Sequence, residues 1–163
     1  MGRIDKENYY LNIAETVAGR STCLRRCYGA ILVKSDEIIS TGYNGAPRGR
    51  RNCVDLNYCT REALNIPSGE RYELCRSVHA EANAIISASR SSILGGTLYL
   101  AGRDAKTGAL LSDATSCSMC RRLIINAGIQ RVVIRRTATD YAVVHVEDWI
   151  REDDSLPAAP PAL

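Results

Sequence analysis

The 163-residue chain contains no phenylalanine, and its aromatic side chains are eight tyrosines and a single tryptophan. Its core must therefore be built mostly from aliphatic residues. It also lacks any run of about 20 apolar residues, the length needed to span a bilayer. The N-terminus passes through Gly2, Arg3, Ile4, Asp5 and Lys6 into charge rather than into the apolar core of a signal peptide. No membrane partner is expected, and the protein reads as cytoplasmic. A strong charge excess is missing too: the net charge of +3 falls short of the concentrated basic face that binds nucleic acid. Lysine is scarce, since 18 of the 21 basic residues are arginine. That bias favours bidentate contacts to carboxylate or phosphate where the side chains converge; the blander account is a GC-rich genome. What is present, 45% hydrophobic and 24% charged residues over a length suited to one domain, excludes a disordered or fibrous chain. Seven cysteines, an odd number without an export signal, fit metal or catalytic use better than a disulfide framework.

Tyr10, Ile13, Ala14, Val17 and Ala18 recur with helical spacing and predict an amphipathic helix over about Asp5–Gly19. Ala30–Val33 and Glu37–Thr41 are β-rich runs around Lys34-Ser35-Asp36, the pattern of a hairpin. Gly42–Cys53, rich in Gly, Asn and Pro, reads as a long functional loop, and residues 54–78 as an insertion that needs an added cross-link. A regular pattern follows: helix Ala80–Ser89, strand Thr97–Ala101, helix Ser118–Ala127 closed by Gly128, strand Arg131–Arg135, and a last strand over Ala142–Val146. The order strand, helix, strand implies a right-handed parallel unit. Residues 1–150 are expected to form one domain, with 151–163 a flexible tail frayed from Pro157.

His79-Ala80-Glu81 opens one predicted helix, and Cys117-Ser118-Met119-Cys120 opens another. A C-x-x-C at a helix start places both sulfurs on one face, where unpaired N–H groups favour thiolates. Alone, it is as often a redox pair or a structural zinc site. With His79 from a second helix N-terminus, it makes three ligands of a tetrahedral Zn²⁺ whose fourth position stays open to water. Glu81, two residues past the histidine, is placed to shuttle protons without ligating. Four further cysteines, Cys23, Cys53, Cys59 and Cys75, flank the hairpin and lie in the insertion. Four thiolates would satisfy a closed structural zinc site; the alternatives are free thiols or a mixed site using two or three of them. Cys27 reads as a spare buried thiol.

These two motifs, the run His79-Ala80-Glu81-Ala82-Asn83-Ala84-Ile85, the segment Leu123–Ile129 and the loop Gly42-Tyr43-Asn44-Gly45-Ala46-Pro47 carry a resemblance to a known family. Over about residues 8–146 the chain resembles the cytidine and deoxycytidylate deaminase superfamily, most closely its deoxycytidylate (dCMP) deaminases. The resemblance implies an α/β fold in three layers, α-β-α, with a central mixed five-stranded sheet and helices on both faces. It implies zinc-dependent hydrolysis of dCMP to dUMP and ammonia, with Glu81 catalytic and His79, Cys117 and Cys120 on the catalytic zinc. It raises the expectation of a second, structural zinc on Cys23, Cys53, Cys59 and Cys75. Asn44 is expected to bond the deoxyribose 3′ hydroxyl, and the Ala80 N–H to read the pyrimidine carbonyl. Arg26 and Arg48 are expected near the 5′ phosphate, and Ser116 and Tyr141 on the substrate side of the pocket. The family normally has Pro before the first cysteine of the C-x-x-C. Here Thr115-Ser116 precede Cys117, which retains a helix cap and alters the pocket wall at pyrimidine C5.

Arg90 ends the predicted helix that His79 begins, about 16 Å away at 1.5 Å per residue. Any phosphate it meets belongs to a subunit interface or an effector site. The family is commonly a homo-oligomer, often a hexamer, regulated by dCTP and dTTP, so an effector nucleotide with Mg²⁺ is a further expectation. The rival readings are a deaminase of a modified cytosine nucleotide, a nucleic-acid base deaminase, and a non-catalytic zinc module. Weak net charge opposes the second rival and Glu81 opposes the third.

Overall fold

The structure, a computed structural model, describes residues 2–156. Of the tail expected at 151–163, residues 157–163 lie outside the described residues; Arg151 ends the last helix and Asp154 pairs with Arg121 at 2.9 Å. Helix α1 (Lys6–Ala18) is capped by Asp5, whose side chain accepts a 2.9 Å bond from the Asn8 N–H. Strands β1 (Arg26–Lys34) and β2 (Glu37–Tyr43) form the predicted hairpin, each longer than its apolar run. Their turn is made by Ser35 and Asp36 in left-handed conformation, which matches the twist of a two-residue hairpin loop.

The insertion holds short helices α2 (Cys53–Leu56) and α3 (Thr60–Ala63) and a 3₁₀ turn at Tyr72–Leu74. Helix α4 (Ala80–Ile86) then stops three residues before the predicted end, and α5 (Arg90–Ile93) is separate. Serines at 87 and 89 bracket the break; Ser92 Oγ donates back to the Ser89 carbonyl at 2.7 Å, the local competition that makes serine a poor helix interior. Arg90 therefore does not end the helix of His79. It begins the next one, and its Nε donates to the Asn126 carbonyl at 2.8 Å, capping the following long helix. Strand β3 (Thr97–Asp104), helix α6 (Ser118–Asn126), β4 (Arg131–Arg135), β5 (Tyr141–His145) and α7 (Val146–Arg151) complete the fold.

The five strands form one sheet in the order β2-β1-β3-β4-β5, antiparallel except for the β3–β4 pair that α6 connects. Alternation along the strands sorts the core. Ile31, Val33, Tyr99, Ala101 and Val133 face α1 and pack on Tyr10, Leu11 and Ala14. Ala30, Leu32, Leu98, Leu100, Val132 and Ile134 face the other way, onto Ala80 and Ala84 of α4 and Ile124 of α6. The result is the expected α-β-α arrangement with a mixed five-stranded sheet. Leu11, fully buried, belongs to the α1 stripe although the periodicity passes over it.

One polar element is folded into the α1 layer. Arg135 of β4 is 1% exposed; its Nε donates to Glu15 Oε1 at 2.8 Å, and its two terminal nitrogens donate to the Asn8 and Asn12 side chains. Asn8, Asn12 and Glu15 stand at i, i+4, i+7, one face of α1. Arg103 of β3 takes the other Glu15 oxygen at 2.8 Å, so a single carboxylate ties the helix to two strands. Among the described residues no helix is long and apolar enough to cross a membrane.

Candidate active site

Two helix N-termini meet on the α4–α6 side of the sheet. His79 is the N-cap of α4 and Cys117 the N-cap of α6, where its sulfur accepts from the Cys120 N–H at 3.4 Å. His79 Nδ1 lies 3.5 Å from Cys117 Sγ and 3.4 Å from Cys120 Sγ. Tetrahedral zinc with bonds of 2.0–2.3 Å holds a nitrogen and a sulfur ligand about 3.5 Å apart, so the donor set fits the ion in chemistry and spacing. Among the described residues it is the one group of three such side chains whose ligand atoms all lie within 4.8 Å of one another.

The protein groups polarise one another. Cys117 is the thiolate of the pair, held down to about 4 by the hydrogen bond from Cys120, with further help from His79. Cys120 is pushed up because it keeps the shared proton, and burial adds to this. Burial opposes charge on His79, yet the sulfurs of Cys117 and Cys75 hold its imidazole up at about 10. Glu81, in the first turn of α4, is 4% exposed. Desolvation raises its pKa, with only partial relief from its own backbone N–H and from His79. A carboxyl raised in this way is suited to taking and giving a proton near neutrality.

The cavity in front of these groups is lined by Ala80, Glu81, Thr115 and Cys117 on one side and by Asn44, Tyr28 and Arg26 on another. Asn44 Oδ1 accepts from Ser21 Oγ (2.6 Å) and the Tyr28 N–H (2.8 Å), and its Nδ2 donates to the Arg26 carbonyl (2.8 Å). Three of its four bonding positions knit loop to strand, leaving one amide hydrogen. Gly42, just upstream, lets β2 close on α4: a Cβ there would stand 2.3 Å from the Ala80 carbonyl oxygen and 2.4 Å from the Ala84 nitrogen.

Several expected site residues sit elsewhere. Arg48 is exposed in the loop after Pro47 and does not line the cavity. Tyr141 opens β5 at the sheet edge opposite Arg135, 37% exposed and off the cavity lining. Ser116 is buried, and its hydroxyl has no hydrogen-bond partner among the described residues, although it stands near enough to ease ionisation of Glu81. The turn it occupies is pinned from α6 by Arg121, whose Nε donates to the Ser116 carbonyl at 3.1 Å while Nη1 pairs with Asp154 at 2.9 Å.

The four further cysteines are all free thiols and neighbours: burial raises Cys53, and Cys23, Cys75 and Cys59 each push it further. Their sulfurs do not close into a group at ligand distance. Cys23, Cys59 and Cys75 reach the wall of the catalytic cavity, and Cys75 turns toward the His79 imidazole. Five cavity residues were not foreseen: Tyr28 of β1, and Ser68, Ser77, Arg61 and Tyr72 of the insertion, where no periodicity marks a buried position.

Comparison with known proteins agrees with this geometry. Residues 4–136 match the family described as the cytidine and deoxycytidylate deaminase zinc-binding region. A deoxycytidylate deaminase of Mycobacterium phage D29 is 37% identical over 138 residues, covering 82% of this chain and 96% of that one. The Schizosaccharomyces pombe deoxycytidylate deaminase is 34% identical over 127 residues, 78% of this chain but only 36% of the longer yeast protein. Among solved structures, the dCMP deaminase of cyanophage S-TIM5 in apo form superposes with a TM-score of 0.57 at 27% identity, covering 82% of this chain and 85% of that one. Its complex with dCMP and dUMP gives 0.55, at the same identity and with 82% and 84% covered. With the His-x-Glu and C-x-x-C pair at ligand spacing and a family match over most of its length, the chain belongs to the cytidine and deoxycytidylate deaminases.

Proposed function

We propose that the protein hydrolyses dCMP to dUMP and ammonia. One observation carries this reading: a His-Cys-Cys donor set beside the buried Glu81 carboxyl, at a cavity that Arg25, Arg26 and Arg61 also line. His79, Cys117 and Cys120 would hold a zinc ion, which when bound would lower the pKa of a water from 15.7 toward about 7 and so make it available as the nucleophile. Glu81 takes one proton of the attacking water and delivers it to N3 as C4 gains a hydroxyl, then moves that hydroxyl's proton to the departing amine. The C4–N bond breaks, a C4=O bond remains, and no electron changes hands. The Ala80 N–H, at the first position of α4 and so without an intrahelical partner, faces the pyrimidine carbonyl. The remaining Asn44 amide hydrogen is directed to the sugar 3′ hydroxyl. Arg26, on the cavity wall, takes the 5′ phosphate.

The test is ammonia release from a panel of dCMP, deoxycytidine, CMP, 5-substituted dCMP and a cytosine-containing oligonucleotide. A charge-assisted phosphate contact is worth about 1.5–3 kcal/mol, so kcat/KM for dCMP should exceed that for deoxycytidine by about 10- to 150-fold. Equal values for the two would overturn the nucleotide assignment and leave the deaminase chemistry standing. Preference for the oligonucleotide would favour a base deaminase.

The second zinc belongs to the same proposal. It is supported by the mutual nearness of Cys23, Cys53, Cys59 and Cys75, and zinc analysis should then return two ions per chain, falling to about one in Cys53→Ser. The cytoplasmic setting is supported by seven unpaired thiols. A hexamer, and a dCTP–Mg²⁺ effector site reached by the terminal nitrogens of Arg90, are tested together by sedimentation with and without dCTP and Mg²⁺.

A further inference from the structure

We infer that Arg61 and Tyr72, both from the insertion, are positioning residues that fix the orientation of the His79 imidazole. Arg61 is 7% exposed, and among the described residues no carboxylate lies within ion-pair reach of it. A guanidinium taken out of water without a counter-charge must be satisfied by dipoles and π faces. Here Nε donates to the Glu70 carbonyl at 3.1 Å, Nη2 donates to the Pro67 carbonyl at 2.8 Å, and Cζ stands 4.3 Å over the Tyr72 ring. The two carbonyls belong to the turn that leads into Tyr72, so one side chain clasps the turn and presses on the ring it delivers. The Tyr72 hydroxyl accepts from the Gly69 N–H at 3.3 Å, which secures the far end of that ring.

The other neighbour of Tyr72 is the metal ligand. Its ring centroid lies 4.8 Å from that of His79, with the planes at 87°, an edge-to-face contact of the favoured kind. His79 makes no side-chain capping bond to its own helix, and Nδ1 is turned to the two sulfurs. Rotation about the last side-chain bond is broad for histidine, and a small turn of the ring would swing Nδ1 off the line to the ion. Groups that orient a ligating imidazole typically carry a 10- to 100-fold effect on metal affinity or activity. The chain Arg61, Tyr72, His79 puts such a group in the insertion, beyond the motif that identifies the family.

The chain has only two histidines, His79 and His145, and His145 ends β5 on the exposed edge of the sheet. Histidine-ring NMR of the zinc-loaded protein therefore gives one reporter at the site and one of the fold. Tyr72→Leu should remove the ring-current shift at His79, while Tyr72→Phe keeps it. Arg61→Met should move the His79 ring signals toward their Tyr72→Leu positions although Tyr72 is still present, with Arg61→Lys in between. Zinc retention against a chelator should fall about 10- to 100-fold in Arg61→Met and in Tyr72→Leu, with His145 unmoved. Wild-type His79 signals and zinc retention in Arg61→Met would overturn the inference. If Arg61→Met shifts His145 as well, Arg61→Lys decides, and unchanged His79 signals there overturn it equally. The inference rests on His79 as a metal ligand, which is read separately: His79 signals that ignore zinc addition would sink that assignment, whatever the Arg61 variants show.

Discussion

Glu81 and Asn44 show how much one side chain can be asked to do. The Glu81 carboxyl is buried and raised, so in the proposed mechanism the isosteric amide removes the proton carrier and little else. Glu81→Gln should keep its fold and its zinc and lose at least about 10²-fold in kcat, the low end of general acid–base contributions; near-normal turnover would remove Glu81 from the mechanism. Asn44 is a different case, because three of its bonds hold Ser21, Tyr28 and Arg26 together. Asn44→Ala should therefore lower thermal stability as well as activity, and it is a poor probe of sugar recognition. The cleaner measure is wild-type kcat/KM for dCMP against CMP.

At the scale of elements, placement is enforced by close approach. Helix α4 carries His79 at its cap and Glu81 in its first turn, and it lies so near β2 that Gly42 has no room for a methyl group. Gly42→Ala should push α4 off the sheet, costing about 1–3 kcal/mol in overpacking. Because a displacement of about 1 Å can cost 10²-fold in rate, its specific activity per folded molecule should fall too. Denaturant titration beside single-turnover assays checks both.

Helices and strands with unbroken patterns were legible in the chain: α1, the β1–β2 hairpin, and the unit β3-α6-β4, whose last strand runs over the predicted residues. So was the grouping of His79, Cys117 and Cys120 at ligand spacing with Glu81 in the adjoining helical turn, because two short motifs at helix starts carry fixed residue types. The split between α4 and α5 was hidden by small residues that suit a continuous helix as well as a broken one. Arg61, Tyr72 and the burial of Arg135 were hidden for other reasons: Arg135 depends on α1 partners at the other end of the chain, while Arg61 and Tyr72 meet in an irregular segment without periodicity, and a lone arginine reads as solvated. Arg135→Ala tests the last of these. Removing one member of a buried ion pair costs about 3–5 kcal/mol; since Glu15 keeps Arg103, the lower end is expected from urea unfolding, with the catalytic constants of the folded fraction unchanged.

The whole molecule responds to pH through groups remote from the cavity. Tyr10 is pushed up to about 12, first by burial and then by its hydrogen bond to Asp36. A tyrosine raised on folding stabilises the native state fully below its unfolded value near 10, and that contribution drains away as pH climbs toward the folded value. Stability should thus fall between pH 10 and about 12 in the wild type, and the Tyr10 share of that fall should vanish in Tyr10→Phe. Asp36 is held below the usual carboxylate range, first by the Tyr10 hydroxyl and then by Lys6. Its contribution is present above the unfolded value and is lost as pH falls through the folded one, and the same substitution should raise its pKa in an NMR titration.

The metal donors reach across 38 and 41 residues of chain, from His79 to Cys117 and to Cys120, enclosing α4, α5 and β3. An ion gripped at both ends of such a loop acts as a reversible staple, and the free zinc concentration becomes a thermodynamic variable of folding alongside temperature. Zinc at a hundred times its dissociation constant adds about 2.7 kcal/mol to the native state, worth about 5–10 °C in a chain of this size. Calorimetry in zinc buffers should show the melting temperature climbing with the logarithm of free zinc, and a flat line would mean that the native state holds no ion in preference to the unfolded chain. Zinc starvation then acts on abundance as well as on turnover: it enlarges the unfolded fraction open to proteolysis.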